Sequence, residues 1–513
     1  MSVSRPGGSA VASAGPQLIA YADRLGGSIA GLDALMSGVF AGAFRGVHLL
    51  PFYRPFDGAD AGFDPRDHTE VDERLGSWDH LRALAGGRAV IADVIVNHMS
   101  TESAPFRDVV ANGDASPWAT MFLTLRSIFP DGATEHDLAT IYRPRPGLPF
   151  TVMNLAGQRR LVWTTFSDRQ VDLDIREPAT WTYLRTVIDR LTAAGVTMLR
   201  LDAVGYVGKV AGTNCFMTAE SVAFVNRISD YADERGVKIL VEVHGHYLQQ
   251  LETARIVDYV YDFALPPLVL HALITGDAVP LDTWLAIRPV NTVTVLDTHD
   301  GIGVVDVGPN ELRPGHAGLL TAEQIDDLVE SIHARSGGTS RLASGAAASN
   351  LDLYQINCTF YDALGADDSS YLLARLIQLF VPGIPQIYYV GLLAGRNDVA
   401  LLAETGVGRD VNRHSYSLAE IETELQRYVV RAQLNALRFR AEHPAFGGTF
   451  THHLDGQRLQ LRWRTDEHEA CLDADVSTGT YTITLAGNGH SETVSDPLDL
   501  PTAADQWGAD RPE

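Results

Sequence analysis

Short, almost unbroken apolar runs recur along the chain at 17–21, 46–50, 89–95, 197–202, 238–243, 257–262, 292–296 and 384–389, each separated from the next by long stretches of helical character. Runs this continuous in apolar residues belong to strands buried on both faces, as in a parallel sheet. Strand and helix alternate through eight units, which predicts an α/β fold closed into a (β/α)8 TIM barrel. An open doubly wound sheet is disfavoured because Asp23-Arg-Leu-Gly-Gly27, after the first run, lacks the glycine spacing that cradles a dinucleotide phosphate. The spacing of the runs is uneven. About 100 residues separate the third from the fourth, far more than one helix requires. The expected organisation is a flexible tail at 1–16, a barrel from 17–95, 177–301 and 366–445, loop-rich inserts at 96–176 and 302–365 after strands 3 and 7, a C-terminal antiparallel β domain at 446–504, and an acidic tail at 505–513. The β domain is read from Arg458-Leu-Gln-Leu-Arg-Trp-Arg464 and Thr480-Tyr-Thr-Ile-Thr-Leu485, where polar and apolar residues alternate. Both inserts fall over the C-terminal mouth of the barrel, where active sites of this fold are built.

A hydrophobic content of 45% over 513 residues supports a large core and excludes a disordered chain. Forty basic against 64 acidic side chains leave a net charge of −24, which argues against nucleic acid and anionic membrane as partners and obliges any anionic substrate to find a locally positive pocket. Cys215, Cys358 and Cys471 are odd in number and far apart, so they make neither a disulfide framework nor a metal spacing and read as small buried hydrophobes in a reducing compartment. No apolar run reaches the roughly 18 residues of a membrane span, and 1–16 lacks the apolar stretch of a signal peptide, so a cytoplasmic protein is expected.

Three carboxylates sit where buried runs meet the barrel mouth: Asp202 in Leu199-Arg-Leu-Asp-Ala-Val, Glu242 in Ile239-Leu-Val-Glu-Val-His, and Asp300 in Val295-Leu-Asp-Thr-His-Asp. Acidic residues are poor strand formers and costly to bury unpaired, so a trio on strands 4, 5 and 7 points to chemistry rather than to rim ion pairs. Arg200, two residues before Asp202, projects to the same face and is expected to keep that carboxylate ionised, as a nucleophile requires. Glu242 has no arginine within two positions and is free to hold the raised pKa of a general acid. Two carboxylates with divergent pKa values make a glycosidic-bond machine. His98 and His299 offer hydrogen bonds to sugar hydroxyls.

Asp93-Val-Ile-Val-Asn-His98, Arg200-Leu-Asp-Ala-Val-Gly-Tyr-Val-Gly-Lys209, Glu242-Val-His244 and Leu296-Asp-Thr-His-Asp300 resemble, in order, the four motif regions of the α-amylase superfamily of glycoside hydrolases, family 13. His48-Leu-Leu-Pro-Phe52, Asp57-Gly-Ala-Asp-Ala-Gly-Phe-Asp64, Val71-Asp-Glu-Arg-Leu-Gly-Ser-Trp78, Tyr142-Arg-Pro-Arg-Pro-Gly-Leu-Pro-Phe150, the extension of the fourth region to Gly303, and Ala348-Ser-Asn-Leu-Asp-Leu-Tyr-Gln355 resemble the sucrose phosphorylase branch of that superfamily, over about residues 17–445. The resemblance implies a glycosyltransferase that carries out retaining phosphorolysis of sucrose, giving α-glucose 1-phosphate and fructose through a covalent glucosyl-enzyme, with transglucosylation to other acceptors. It implies Asp202 as nucleophile, Glu242 as acid/base and Asp300 as transition-state stabiliser. Asp60, Phe63, His98, Gln170, Arg200, His299 and Arg409 would line the glucose subsite. Tyr206, His244, Arg145, Asp352, Tyr354 and Gln355 would form the acceptor subsite. It implies no metal and no cofactor beyond phosphate as co-substrate, and a homodimer; calcium is not expected at Asn97.

Phosphate must be drawn into a strongly anionic protein, and Arg145 is the expected local cation, with Tyr354 and His244 as further donors. An exchange of Asp352 for Tyr354 by loop motion would suit fructose and phosphate in turn. Gly245 and His246 depart from the bulkier or hydroxyl residues of the branch and bear on the acceptor side. The alternatives are a phosphorylase of sucrose 6′-phosphate or of a glucosylglycerol-type compound, a related α-glucosidase or transglucosidase, a zinc amidohydrolase prompted by His244-Gly-His246, and a non-catalytic binding barrel. A phosphorylated fructose would call for more cations near Leu351-Asp-Leu-Tyr-Gln355 than the sequence holds there.

Overall fold

In a computed structural model, which describes residues 15–58, 60–143, 147–310, 315–345, 355–487 and 489–502, the eight apolar runs are eight parallel strands. They are β1 (Gln17–Ala20), β2 (Gly46–Leu49), β3 (Ala89–Ile95), β4 (Met198–Asp202), β5 (Lys238–Val241), β6 (Tyr259–Asp262), β7 (Thr292–Thr294) and β8 (Ile384–Tyr388). Each pairs with its successor and β8 closes on β1 through Gln17 opposite Gln386, so the sheet has no edge. The expected (β/α)8 barrel is the fold. The strands are buried along nearly their whole length, between the lumen and the surrounding helices.

Local sequence sets where the clothing helices begin. The first, α1 (Ile29–Ser37), starts at Ser28, whose side chain accepts the Gly31 N–H; α2 (Pro178–Ala193) starts with proline, whose missing N–H and fixed φ suit a first turn. The Thr218 hydroxyl caps α3 (Ala219–Asp233). The apolar helix α4 (Asp368–Phe380) lies almost wholly buried between the barrel and the C-terminal sheet, and α5 (Tyr428–Glu442) runs against it.

The insert between β3 and β4 has its own small cores, one of them formed by Met99, Phe106, Val109, Met121, Phe122, Leu155, Val162, Val171 and Leu173. Its strand Gln170–Asp172 pairs antiparallel with His98–Ser100, just beyond β3, which brings the insert to the barrel mouth. After β7, Ile302–Gly303 pairs with Gln355–Ile356. The chain ends in a five-stranded antiparallel meander of β9 (Thr449–Asp455), β10 (Arg458–Arg464), β11 (His468–Asp475), β12 (Thr480–Gly487) and β13 (His490–Val494). The alternating segments expected of the terminal domain are β10 and part of β12. Most of the expected tails lies outside the described residues. Among the described residues no helix is long and apolar enough to cross a membrane.

Candidate active site

Barrel register assembles the site. Arg200 on β4 stands opposite Asp93 on β3, and Arg200 Nη1 lies 2.5 Å from Asp93 Oδ1 and 2.9 Å from Asp202 Oδ1. On the other side Arg200 pairs with Leu240 of β5, so Glu242 stands one pleat higher on the same face, and Arg200 Nη2 reaches Glu242 Oε1 at 2.8 Å. No arginine stands within two positions of Glu242 along the chain, yet one reaches it in space: the partner comes from the neighbouring strand, which sequence spacing does not reveal. The second Glu242 oxygen accepts the Ala203 N–H at 3.1 Å. Ala203 holds a left-handed backbone (φ 55°) immediately after Asp202, a conformation that costs a non-glycine residue about 1–2 kcal/mol. Asp300 is not on a strand: it lies in the loop beyond β7 and pairs with Arg409 Nη1 at 2.8 Å.

Beneath the carboxylates runs a buried polar chain. Gln386 Nε2 donates to Gln17 Oε1 (2.8 Å), Tyr261 donates to Gln386 Oε1 (3.2 Å) and approaches His48 Nδ1 (3.3 Å), and His48 Nε2 meets Asp93 Oδ2 (3.0 Å). Burial alone would raise Asp93, but Arg200 and His48 bring it down to about 2. Burial and the charge of Glu242 push Asp202 well above the ordinary carboxylate range, against the pull of Arg200. The expectation that Arg200 alone keeps Asp202 low is therefore reversed, because one guanidinium is divided among three carboxylates. Burial would also raise Asp300, yet Arg409, His299, His244 and Arg413 hold it well below the usual range. Burial lowers His98, and lowers His299 to about 3, so both imidazoles are neutral hydrogen-bonding groups at neutral pH.

The carboxylates open into a cleft of about 730 Å³ lined by Asp60, Phe63, His98, Tyr206, His244, His299, Gln355 and Arg409 beside Asp202, Glu242 and Asp300. Phe63 stacks on His299 with centroids 4.8 Å apart and planes 7° apart. Gln170 stands behind this wall, its amide nitrogen 3.1 Å from His98 Nε2 and 3.4 Å from Asp60 Oδ2. Arg200 lies under the floor. Arg145, Asp352 and Tyr354 fall outside the described residues. Phe166 and Phe216 also line the cleft and pack against Tyr206, and sequence reasoning missed both, since a lone aromatic in a loop carries no period.

His246 turns away from His244. Its Nε2 lies 3.1 Å from the Ala317 carbonyl and it lines a separate cleft, so the two imidazoles do not form the metal pair of the amidohydrolase alternative. Glu242, His244 and Asp300 each bring one potential ligand atom within 4.8 Å of the others. Arg200 and Arg409 already neutralise two of them and oppose a further cation. Beside Asn97 the cation is part of the protein: Lys209 Nζ donates to Asn97 Oδ1 at 2.8 Å and lies 2.6 Å from Asp172.

A model of the α-amylase catalytic domain matches residues 41–254. A sucrose phosphorylase of Bifidobacterium adolescentis is 54% identical over 466 residues, 90% of this chain and 92% of that one, and one of Agrobacterium vitis is 54% identical over 92% and 97%. The chain belongs to the sucrose phosphorylase family. A glucosylglycerol phosphorylase of Marinobacter adhaerens is more distant, 38% identical over 93% of this chain and 98% of its own. Among solved structures, a sucrose 6F-phosphate phosphorylase from Thermoanaerobacter thermosaccharolyticum superposes with a TM-score of 0.87 at 36% identity, covering 94% of this chain and 98% of that one. The family read from the motifs is the one these comparisons return.

Proposed function

We propose that the chain transfers glucose from sucrose to phosphate in two displacements, with Asp202 as nucleophile, Glu242 as acid/base and Asp300 as the stabiliser of positive charge at the sugar carbon. The observation that carries this reading is the single Arg200 guanidinium gripping both Asp202, the last residue of β4, and Glu242, the first residue beyond the adjacent β5. It sets the two carboxylates side by side on one wall of the cleft, and two like charges so placed share a proton. In the reacting state that proton is on Glu242, which takes away the negative charge that raises Asp202 and leaves Asp202 ionised against Arg200.

Asp202 attacks the anomeric carbon as the bond to the fructosyl oxygen breaks, and Glu242 gives its proton to that oxygen. In the second displacement an oxygen of hydrogen phosphate attacks the same carbon, the ester to Asp202 breaks, and the phosphate proton returns to Glu242. Asp300, held ionised by its cationic neighbours, faces the positive charge that develops in both transition states. Phe63, Asp60, His98, Gln170, His299 and Arg409 would bind the glucosyl unit, and Tyr206, His244 and Gln355, with Arg145, Asp352 and Tyr354, the acceptor. The 54% identity to sucrose phosphorylases, against 38% to the glucosylglycerol enzyme, favours sucrose as donor. The reading needs no cofactor and no metal. A cytoplasmic homodimer belongs to the same reading, and the three buried, unpaired cysteines support a reducing setting.

Incubation with sucrose, with and without millimolar phosphate, should give glucose 1-phosphate when phosphate is present. Free glucose as the main product at that phosphate level would overturn the reading. Asp202→Ala should lose roughly four or more orders of magnitude in turnover.

A further inference from the structure

Two buried polar atoms face each other behind the acceptor wall. His244 Nδ1 and Asp306 Oδ2 lie 3.6 Å apart, and neither has a closer hydrogen-bond partner among the described residues. Asp306 is fully buried and does not line the cleft. Its other carboxylate oxygen accepts the Gly245 N–H at 3.1 Å and faces Gln250 Nε2 at 3.5 Å, while its carbonyl accepts the Tyr247 N–H at 2.8 Å. One residue of the loop beyond β7 thereby fastens the loop beyond β5. The His244 ring is stacked on Phe263, centroids 3.9 Å and planes 17° apart, so its two nitrogens can point only along the plane of that stack. Nδ1 faces Asp306, and Nε2 faces Glu242 Oε1 at 3.7 Å and Gln355 Nε2 at 3.4 Å. Glycine at 303 is what allows this approach, since a Cβ there would stand 2.5 Å from Asp306 Oδ2 and 3.6 Å from His244 Nδ1.

We propose that Asp306 is a positioning residue for phosphate: it holds His244 with Nδ1–H toward itself and Nε2–H toward the cleft, and keeps a cation on the acceptor side. The inference rests on the functional reading above. The acceptor oxygen must come to Glu242, and His244 Nε2 opens on that place. Arg200 is committed to three carboxylates and Arg409 pairs with Asp300. The charged groups facing the imidazole are Asp306 from behind and Glu242 and Asp300 from the cleft. Burial would lower His244, but Asp306, then Glu242 and Asp300, raise it above the ordinary histidine value.

Asp306→Asn removes the charge at nearly constant size, and Gly303→Ala drives the carboxylate from the ring while keeping both residues. In a two-step displacement, kcat/KM for phosphate reports the second step and kcat/KM for sucrose the first. Each variant should lose roughly ten- to a hundredfold in kcat/KM for phosphate, the worth of a charge-assisted contact, and less than about threefold in kcat/KM for sucrose. The alkaline limb of the phosphate profile should move to lower pH in Asp306→Asn; the ionisation of phosphate itself is common to variant and parent. Imidazole NMR of the unaltered protein should place the His244 titration above about 6.5, and lower in the variants. Unchanged phosphate parameters in both variants, equal losses for phosphate and sucrose, or a His244 titration at or below the ordinary value in the parent would each overturn the inference. If the parent makes no glucose 1-phosphate, the functional reading falls and takes this inference with it. If the parent makes it and the variants match the parent, the inference alone falls.

Discussion

Arg200 is a buried cation with three carboxylate partners, and Asp93, the one farthest from the cleft, is the most firmly held. A carboxyl lowered to about 2 from an ordinary value near 3.8 adds about 2 kcal/mol of stability above pH 4, and that contribution is lost as pH falls through about 2. Urea unfolding followed from pH 5 to pH 2 should therefore show a steep loss of stability across this window. In Asp93→Asn the proton uptake on unfolding should fall by up to about one, and an unchanged pH slope would show that Asp93 does not carry it. At this scale the sequence is a partial guide. Asp202 and Glu242 stand out because an acid at the end of an apolar run is an anomaly, and the Arg200–Asp202 contact follows from the two-residue repeat of a strand. The Arg200–Glu242 contact does not, because it depends on the register between strands. Asp306 and His48 are single polar residues whose meaning arises only from what the fold places opposite them.

The eight strands were legible as elements because burial on both faces imposes continuous Val, Ile and Leu, and each predicted run lies within two residues of its observed bounds. The loops are less so: the sequence pattern places Asp300 at the end of a strand, but β7 stops at Thr294 and the polar Asp297-Thr-His-Asp300 already belongs to the mouth. The junction between barrel and insert was not legible at all. There Lys209, which follows β4, reaches Asn97 just beyond β3 and Asp172 in the insert strand Gln170–Asp172, and Asp172 also accepts the Thr165 N–H at 2.9 Å and the Thr165 hydroxyl at 2.6 Å. Asp172 and Lys209 are both almost inaccessible to solvent. Lys209→Met leaves a buried carboxylate uncompensated and should destabilise the protein by about 3–5 kcal/mol, while Lys209→Met with Asp172→Asn should recover part of the loss. Chemical denaturation of the parent, the single and the double variant measures this, and a single variant as stable as the parent would remove the linking role.

At the scale of the whole molecule, the terminal sheet, whose alternation was visible in the sequence, is bound to the barrel through a seam that was not. Trp463 on β10 donates its indole N–H to the Phe380 carbonyl at the end of α4 (2.5 Å) and packs on Phe446 and Phe450, with the Arg440 guanidinium 5.8 Å from its ring centre. Trp463 is only 3% exposed and Phe446 2%, so the seam is a continuation of the barrel core rather than a wet contact between separate bodies. Because α4 runs directly into β8, which pairs with β1, disturbance at the seam bears on closure of the barrel. Trp463→Ala removes a large buried side chain and leaves the Phe380 carbonyl without that donor, and should cost about 3–5 kcal/mol. Since the seam belongs to one core, unfolding of this variant should remain a single transition, with sucrose turnover and secondary-structure signal lost together. Loss of turnover well after an early spectroscopic transition would show instead that the terminal sheet melts as an independent unit and that the barrel closes without it.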